Sequence, residues 1–203
     1  MIAAPAAEIL GAELYRRIDR TVGLANAGGD TINSIKQASE FGITKGGQKL
    51  AGLLVFISDI HSLGLERAQG LNLTEAFYWD LNDRTRAFSK KFAARFNGKM
   101  PTSVQAGFYS ATLAYLNAVK STGTDNAEKV MAAMKAAKWD DPIFGPSYVR
   151  EDGRKMHDMY LFEVKKPSES KGPWDYYKLV ATIPANEAFT PLEKSACPLL
   201  KKS

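Results

Sequence analysis

The sequence predicts an α/β fold, and three observations carry that prediction. Residues 22–41 (VGLANAGGDTINSIKQASEF) read as strand, glycine turn and helix. Residues 49–57 (KLAGLLVFI) form an almost unbroken apolar run, the pattern of a parallel strand covered on both faces. The middle of the chain then changes to apolar residues at helical spacing before strands return.

In the first unit the apolar run 22–25 meets Asn26, Ala27, Gly28 and Gly29, a helix start follows at Asp30 and Thr31, and Ile32, Ile35 and Phe41 recur on one side. Such a turn sets backbone N–H groups and a positive helix terminus at the carboxyl end of a strand, where open α/β sheets bind small ligands. Lys45, Gly46 and Gly47 are expected to end the helix, residues 58–67 to form a loop or short helix, and residues 70–78 to form a further strand. A helix is predicted over 85–96, with Phe88, Phe92 and Phe96 at i, i+4 spacing. A long one follows over 101–120, with Val104, Phe108, Tyr115, Leu116 and Val119 on its apolar side. A third is capped by Asp125, with Met131 and Met134 inward. Residues 148–155 predict a hairpin with Asp152-Gly153 at its tip, and 159–164 and 174–183 predict two closing strands.

Composition narrows the function classes. With 27 Lys and Arg against 22 Asp and Glu the chain is mildly basic, but the cations are scattered, so no nucleic-acid-binding face is expected. The balance suits anionic small solutes. Residues 1–20 read as an amphipathic helix with Ile9, Leu10, Leu14 and Ile18, not as an export signal. The lone Cys197 allows no internal disulfide and no cysteine zinc site.

One motif suggests an enzyme. Residues 56–62 (FISDIHS) place Asp59 and His61 two apart after an apolar run, an arrangement that can serve one metal ion in phosphate ester hydrolysis. The chain has only one other histidine, His157, beside the predicted hairpin, which is too few for a two-metal site. The competing role is structural, with one of the pair capping the short helix. No nucleophile elbow, Walker A sequence or dinucleotide fingerprint is present.

The stretches GLANAGGDTINSIKQASEFGI, KLAGLLVF, GLNLTEAFYWD, AFSKKFAARFNGKMPTSVQAGFYSATLAYLNAV and WDYYKLVATIPANEAF carry a likeness. They resemble the periplasmic solute-binding proteins of ABC transporters, and more narrowly the branched-chain amino acid type. The most telling piece is Pro101, Gln105, Ala106, Gly107, Tyr109, Ser110, Ala111, Ala114 and Tyr115. The resemblance implies a partial type I periplasmic-binding fold, with three-layer αβα lobes joined by hinge strands. Residues 22–75 would belong to the C-terminal lobe, 76–160 to the N-terminal lobe and 161–203 to the return, with crossings near 74–78 and 159–164. Residues 1–21 form a non-matching N-terminal helix. Family members are longer and begin with a signal peptide, so the chain is expected to correspond to the second half of one.

The function so implied is that of a solute-binding component of an ABC transporter, periplasmic in its full-length form and closing by hinge motion to meet a permease. Its solute would be a small carboxylate or amino acid: a branched-chain amino acid, an amide or an aromatic acid. No enzymatic activity and no cofactor are expected; the alternatives are the Asp59/His61 phosphoesterase or an inactive fragment. Three ligand-facing groups follow from the resemblance. They are the helix start at Ala27, Gly28, Gly29, Asp30 and Thr31, with Asp30 equally suited to a plain N-cap; the strand end at Ser58, Asp59 and His61; and the start of the long helix at Val104, Gln105 and Tyr109, where Tyr109 could instead pack on the crossing strands. A half molecule would also expose sheet edges, which predicts a homodimer or a strand-exchanged assembly.

Overall fold

The structure, a computed structural model, describes residues 20–198 and residue 200. The helix expected over residues 1–21 lies almost wholly outside the described residues. The chain divides into two compact units. The first holds residues up to Thr74 and Leu161–Val180, and the second holds Glu75–Tyr160 and the residues from Ala181 onward.

In the first unit β1 (Thr21–Leu24) leads into α1 (Gly28–Glu40), and β2 (Lys49–Gly52) leads into the short helices α2 (Ile57–Leu63) and α3 (Leu65–Ala68). The next strand is β3 (Asn72–Glu75). β1 pairs with β2 in parallel, Thr21 opposite Lys49 and Leu24 opposite Gly52, and β2 pairs in parallel with β3. β7 (Met159–Val164) and β8 (Tyr177–Ile183) complete a five-stranded sheet of order β1-β2-β3-β7-β8. Val164 N–H donates to Leu71 O and Gly70 N–H to Val164 O, so β7 runs antiparallel to β3. α1 packs on α2 and α3. Ile35, Leu50, Val55, Ile57, Ile60, Leu71, Leu73, Phe162 and Val164 are among the buried apolar side chains of this unit.

The second unit holds α4 (Asp83–Ala93), α5 (Ser103–Thr122) and α6 (Ala127–Ala136), followed by β4 (Lys138–Asp141), β5 (Gly145–Val149) and β6 (Lys155–Met156). The last three form an antiparallel sheet with Trp139 opposite Ser147 and Tyr148 opposite Met156. Its core gathers Phe77, Ala106 and Ile143, with Trp79, Phe88 and Phe144 against them. Asn82 starts α4 through a reciprocal pair: its side chain accepts the Thr85 N–H at 3.1 Å while Thr85 Oγ1 accepts the Asn82 N–H at 3.0 Å. A short helix, α7 (Ala185–Ala188), begins where Ala185 N–H reaches Asp158 Oδ1 at 3.0 Å.

Several expectations are corrected. The apolar run 49–57 is not one strand. β2 stops at Gly52, where the chain folds back so closely on itself that a Cβ would sit 2.4 Å from Val55 Cγ2. Ile57 therefore opens a helix, and Ser58, Asp59 and His61 ride on that helix rather than on a strand end. Helix α1 stops at Glu40, leaving Phe41 exposed. α6 is capped by Asn126, which accepts the Lys129 N–H at 3.1 Å, and not by Asp125, while Met131 faces solvent. On α5 the expected polarity is reversed. The buried positions are the small residues Ala106, Ser110 and Ala118, and the large apolar stripe is exposed. β4 was not foreseen, because the polar KWDD gives no alternation of its own and pairs only through β5.

Candidate functional site

Parallel pairing brings the carboxyl ends of β1 and β2 side by side, and Leu53 N–H donates to Leu24 O at 3.1 Å just beyond them. α1 follows the first of these ends and α2 the second. The turn into α1 is held from within: Thr31, fully buried, donates through Oγ1 to Asn26 Oδ1 at 2.9 Å, and Asn26 Nδ2 donates to Ser34 Oγ at 2.9 Å. Ala27, Gly28, Gly29 and Asp30 are exposed on that frame. Ala27 stands at the N-cap and offers no side-chain acceptor, so the first-turn N–H groups face outward without a side-chain cap. Gly28 has φ +56°, in the left-handed region that its missing Cβ permits. Thr31 thus positions this turn, while the four residues before it present it.

On α2 the Asp59 carboxylate accepts the Phe56 N–H at 2.9 Å, satisfying a helix-start donor. Ser58 is exposed on the first turn. His61 is exposed too, but its ring lies flat on Trp174, with centroids 4.0 Å apart and planes 5° from parallel. Its Nδ1 is 2.7 Å from Tyr176 Oη. Asp59 and His61 therefore have separate partners, and among the described residues no three His, Cys, Asp or Glu side chains gather as metal ligands. The segment carrying Trp174 and Tyr176 is itself clamped. Asp175 pairs with Lys165 and accepts the Lys171 N–H at 2.8 Å. Burial pushes the Asp175 carboxyl up, but the Lys165 and Lys171 hydrogen bonds outweigh it and hold it below the ordinary range. Trp174 sits at φ +70°, strained for a non-glycine residue by about 1–3 kcal/mol.

The third expected group lies in the second unit, on the first two turns of α5. Gln105 Oε1 accepts both the N–H and the hydroxyl of Thr102 at 2.7 Å, so it caps the helix. Tyr109 leans on Phe88, with centroids 5.2 Å apart, and remains half exposed, as does Val104. The structure thus gathers the first two groups in one unit and leaves the third in the other. Asn26, Trp174 and Tyr176 were not foreseen as the side chains that brace the first two groups. Trp174 and Tyr176 lie more than a hundred residues from His61, and no local pattern joins them.

These two strand–turn–helix crossings, with an antiparallel return, match known proteins. A family model described as periplasmic binding protein matches residues 17–173. A periplasmic binding protein from Burkholderia mallei shares 49% identity and a TM-score of 0.83 over 98% of this chain and 52% of its own length. A branched-chain amino acid ABC transporter periplasmic ligand-binding protein from Burkholderia xenovorans shares 42% identity and a TM-score of 0.81, over 94% of this chain and 51% of its own. A solute-binding protein from Rhodopseudomonas palustris in complex with 3,4-dihydroxybenzoic acid shares the fold at 23% identity and a TM-score of 0.66, over 86% of this chain and 48% of its own. No curated protein matches the sequence significantly. The chain belongs to the periplasmic binding protein family and spans about half the length of these relatives.

Proposed function

We propose that this chain is part of the solute-binding component of an ABC transporter, periplasmic in its full-length form, and that its solute is a small carboxylate of the branched-chain amino acid kind. The observation that carries the reading is the start of α1. Uncapped N–H groups at a helix terminus beyond a parallel strand end hold an anion without needing a cation. The Burkholderia xenovorans relative, a branched-chain amino acid transporter protein by description, favours an amino acid over the aromatic acid of the more distant Rhodopseudomonas protein. Gly28 and Gly29 keep side chains out of the carboxylate's way, with Ala27 and Asp30 at the edges. Ser58 and His61 on α2 are proposed as polar contacts for the rest of the solute. Thr31 and Asp59 act by holding the turn and the helix. Val104 and Tyr109 are proposed as apolar solute contacts, with Gln105 fixing the helix that carries them. The reading is of binding and release, with no bond made or broken.

Calorimetric titration with leucine, valine and 4-hydroxybenzoate tests this, using Gly29→Glu as the probe. A side chain at Gly29 meets nothing within 4 Å, so the variant folds and places a second carboxylate where the first must bind. At least a tenfold loss of leucine affinity is expected. Absence of binding by every solute, or a Gly29→Glu chain that binds as before, overturns the proposal.

A further inference from the structure

Four strands lie at the ends of the two sheets, and they differ in what they offer a second chain. β4 carries Lys138, Asp140 and Asp141, with Arg84 paired to Asp140 at 2.9 Å, and charged groups of this kind keep sheet edges apart. β6 has two residues and β1 four, one of them Gly23. β8 is different. It runs for seven residues, Tyr177–Ile183, and from Leu179 onward it holds no charge and no proline until Pro184 closes it. Leu179 is 49% and Val180 51% exposed, and Ala181 and Thr182 are exposed beside them. Among the described residues only β7 lies beside β8, so a row of backbone N–H and C=O groups faces outward.

The same strand from a second chain fits this row. Two copies that pair all seven residues antiparallel share a two-fold axis at the midpoint, Val180. Val180 then meets its own copy, Leu179 lies opposite Ala181 of the partner subunit, and Lys178 lies opposite Thr182 of the partner subunit. No two like charges face each other. Lys178 is also neutralised inside its own chain, by Glu163 at 2.9 Å and Glu169 at 3.4 Å. Aliphatic and β-branched pairs such as these stabilise a ladder. An edge with neither charge nor pocket has nothing to select a foreign strand, whereas a second copy is present at the chain's own concentration.

We propose that β8 is a self-association edge, at which two copies of this chain join their five-stranded sheets antiparallel about Val180. A seam one strand wide is at the small end of interfaces, so the dimer is reversible and depends on concentration. The inference goes beyond the solute reading and does not depend on it, since β8 is at the other end of the sheet order from β1 and β2.

Sedimentation velocity and light scattering of the full chain over a concentration series test it, with charge at position 180 as the probe. The unaltered chain is expected to pass from monomer to dimer as concentration rises. Val180→Lys sets two ammonium groups opposite each other and Val180→Glu two carboxylates, and each is expected to weaken the dimer at least tenfold while circular dichroism stays unchanged. An equimolar mixture of the two variants is expected to form the heterodimer, which also shows that both are folded. Val22→Lys on β1 and Phe108→Glu on α5, at other exposed apolar residues, are expected to leave self-association intact. A chain that is monomeric at every concentration overturns the proposal. So does a dimer indifferent to both variants at position 180, a dimer broken by Val22→Lys or Phe108→Glu instead, or a mixture of the two position-180 variants that stays monomeric.

Discussion

Asp141 shows how one buried carboxylate can tie three elements together. It stands at the end of β4, takes the Ile143 and Phe144 N–H groups on Oδ1 at 2.9 and 3.0 Å, and on Oδ2 meets Ser110 from α5 and Lys155 from β6, the latter at 2.8 Å. Burial alone pushes its pKa up, but the bonds from Lys155, Ser110 and the two backbone donors prevail and bring it from 3.8 to about 2. A depressed carboxyl pKa stabilises the fold above the unfolded value, and that contribution disappears as pH falls through the folded one. Unfolding followed by urea between pH 5 and 2 is therefore expected to show a loss of about 2 kcal/mol between pH 4 and 2, and Asp141→Asn should remove most of that dependence. Asp141→Ala should cost about 3–5 kcal/mol throughout, because it strands the Lys155 ammonium. Burial already pushes the Lys155 pKa down against the pull of Asp141. Sequence reading passed over this cluster: Ser110, Asp141 and Lys155 are far apart in the chain and individually ordinary. Asp59 and His61, whose metal-ligand spacing competes in the sequence with a structural role, have a backbone N–H and a tyrosine as partners, with Asp59 at the helix start.

At the scale of elements, glycine and aromatic contacts decide where strands stop and how segments attach. At the end of β2 Gly52 lies against Val55, so Gly52→Ala is expected to destabilise the chain by about 1–3 kcal/mol through overpacking, measured by thermal unfolding. Gly29→Ala, where nothing lies within 4 Å, is the control. The hairpin of β5 and β6 holds the C-terminal segment through His157, whose ring lies between Phe144 and Phe189 at 5.1 and 5.4 Å, with the Arg154 guanidinium over Phe189. Burial first, then Lys155 and Arg154, push the His157 pKa below its ordinary 6.5, against the pull of the Asp158 carbonyl and carboxylate. The neutral ring is thus the one the fold accepts. Its contribution is full above pH 6.5 and declines as pH falls below that value. The melting temperature should fall from pH 8 to 5.5, and His157→Phe should flatten that slope. The helices themselves were legible from their periodicity, and the hairpin from Asp152-Gly153. The cap at Asn126 and the polar strand β4 were not. A cap depends on the backbone turning at that residue, and an edge of polar sequence becomes a strand only when a neighbour supplies the pairing.

For the molecule as a whole, the proposed solute site predicts a dependence of stability on leucine. If leucine binds the folded chain alone, each increment of its concentration raises the melting temperature by mass action, with about 2.7 kcal/mol at one hundred times the dissociation constant. Scanning calorimetry over a concentration series checks this, and a flat series contradicts it. The sequence by itself determined the α/β class, the strand–glycine–helix unit and the family likeness, because hydrophobic period and turn chemistry are local properties written in consecutive residues. It also showed that α5 is apolar, but it named the wrong face as buried. Only the tertiary structure decided that face, the bracing of His61 by Trp174 and Tyr176, and the Asp141 cluster. Each depends on which distant segment packs against which, and a helix with two apolar sides carries no local mark of the side its own chain covers.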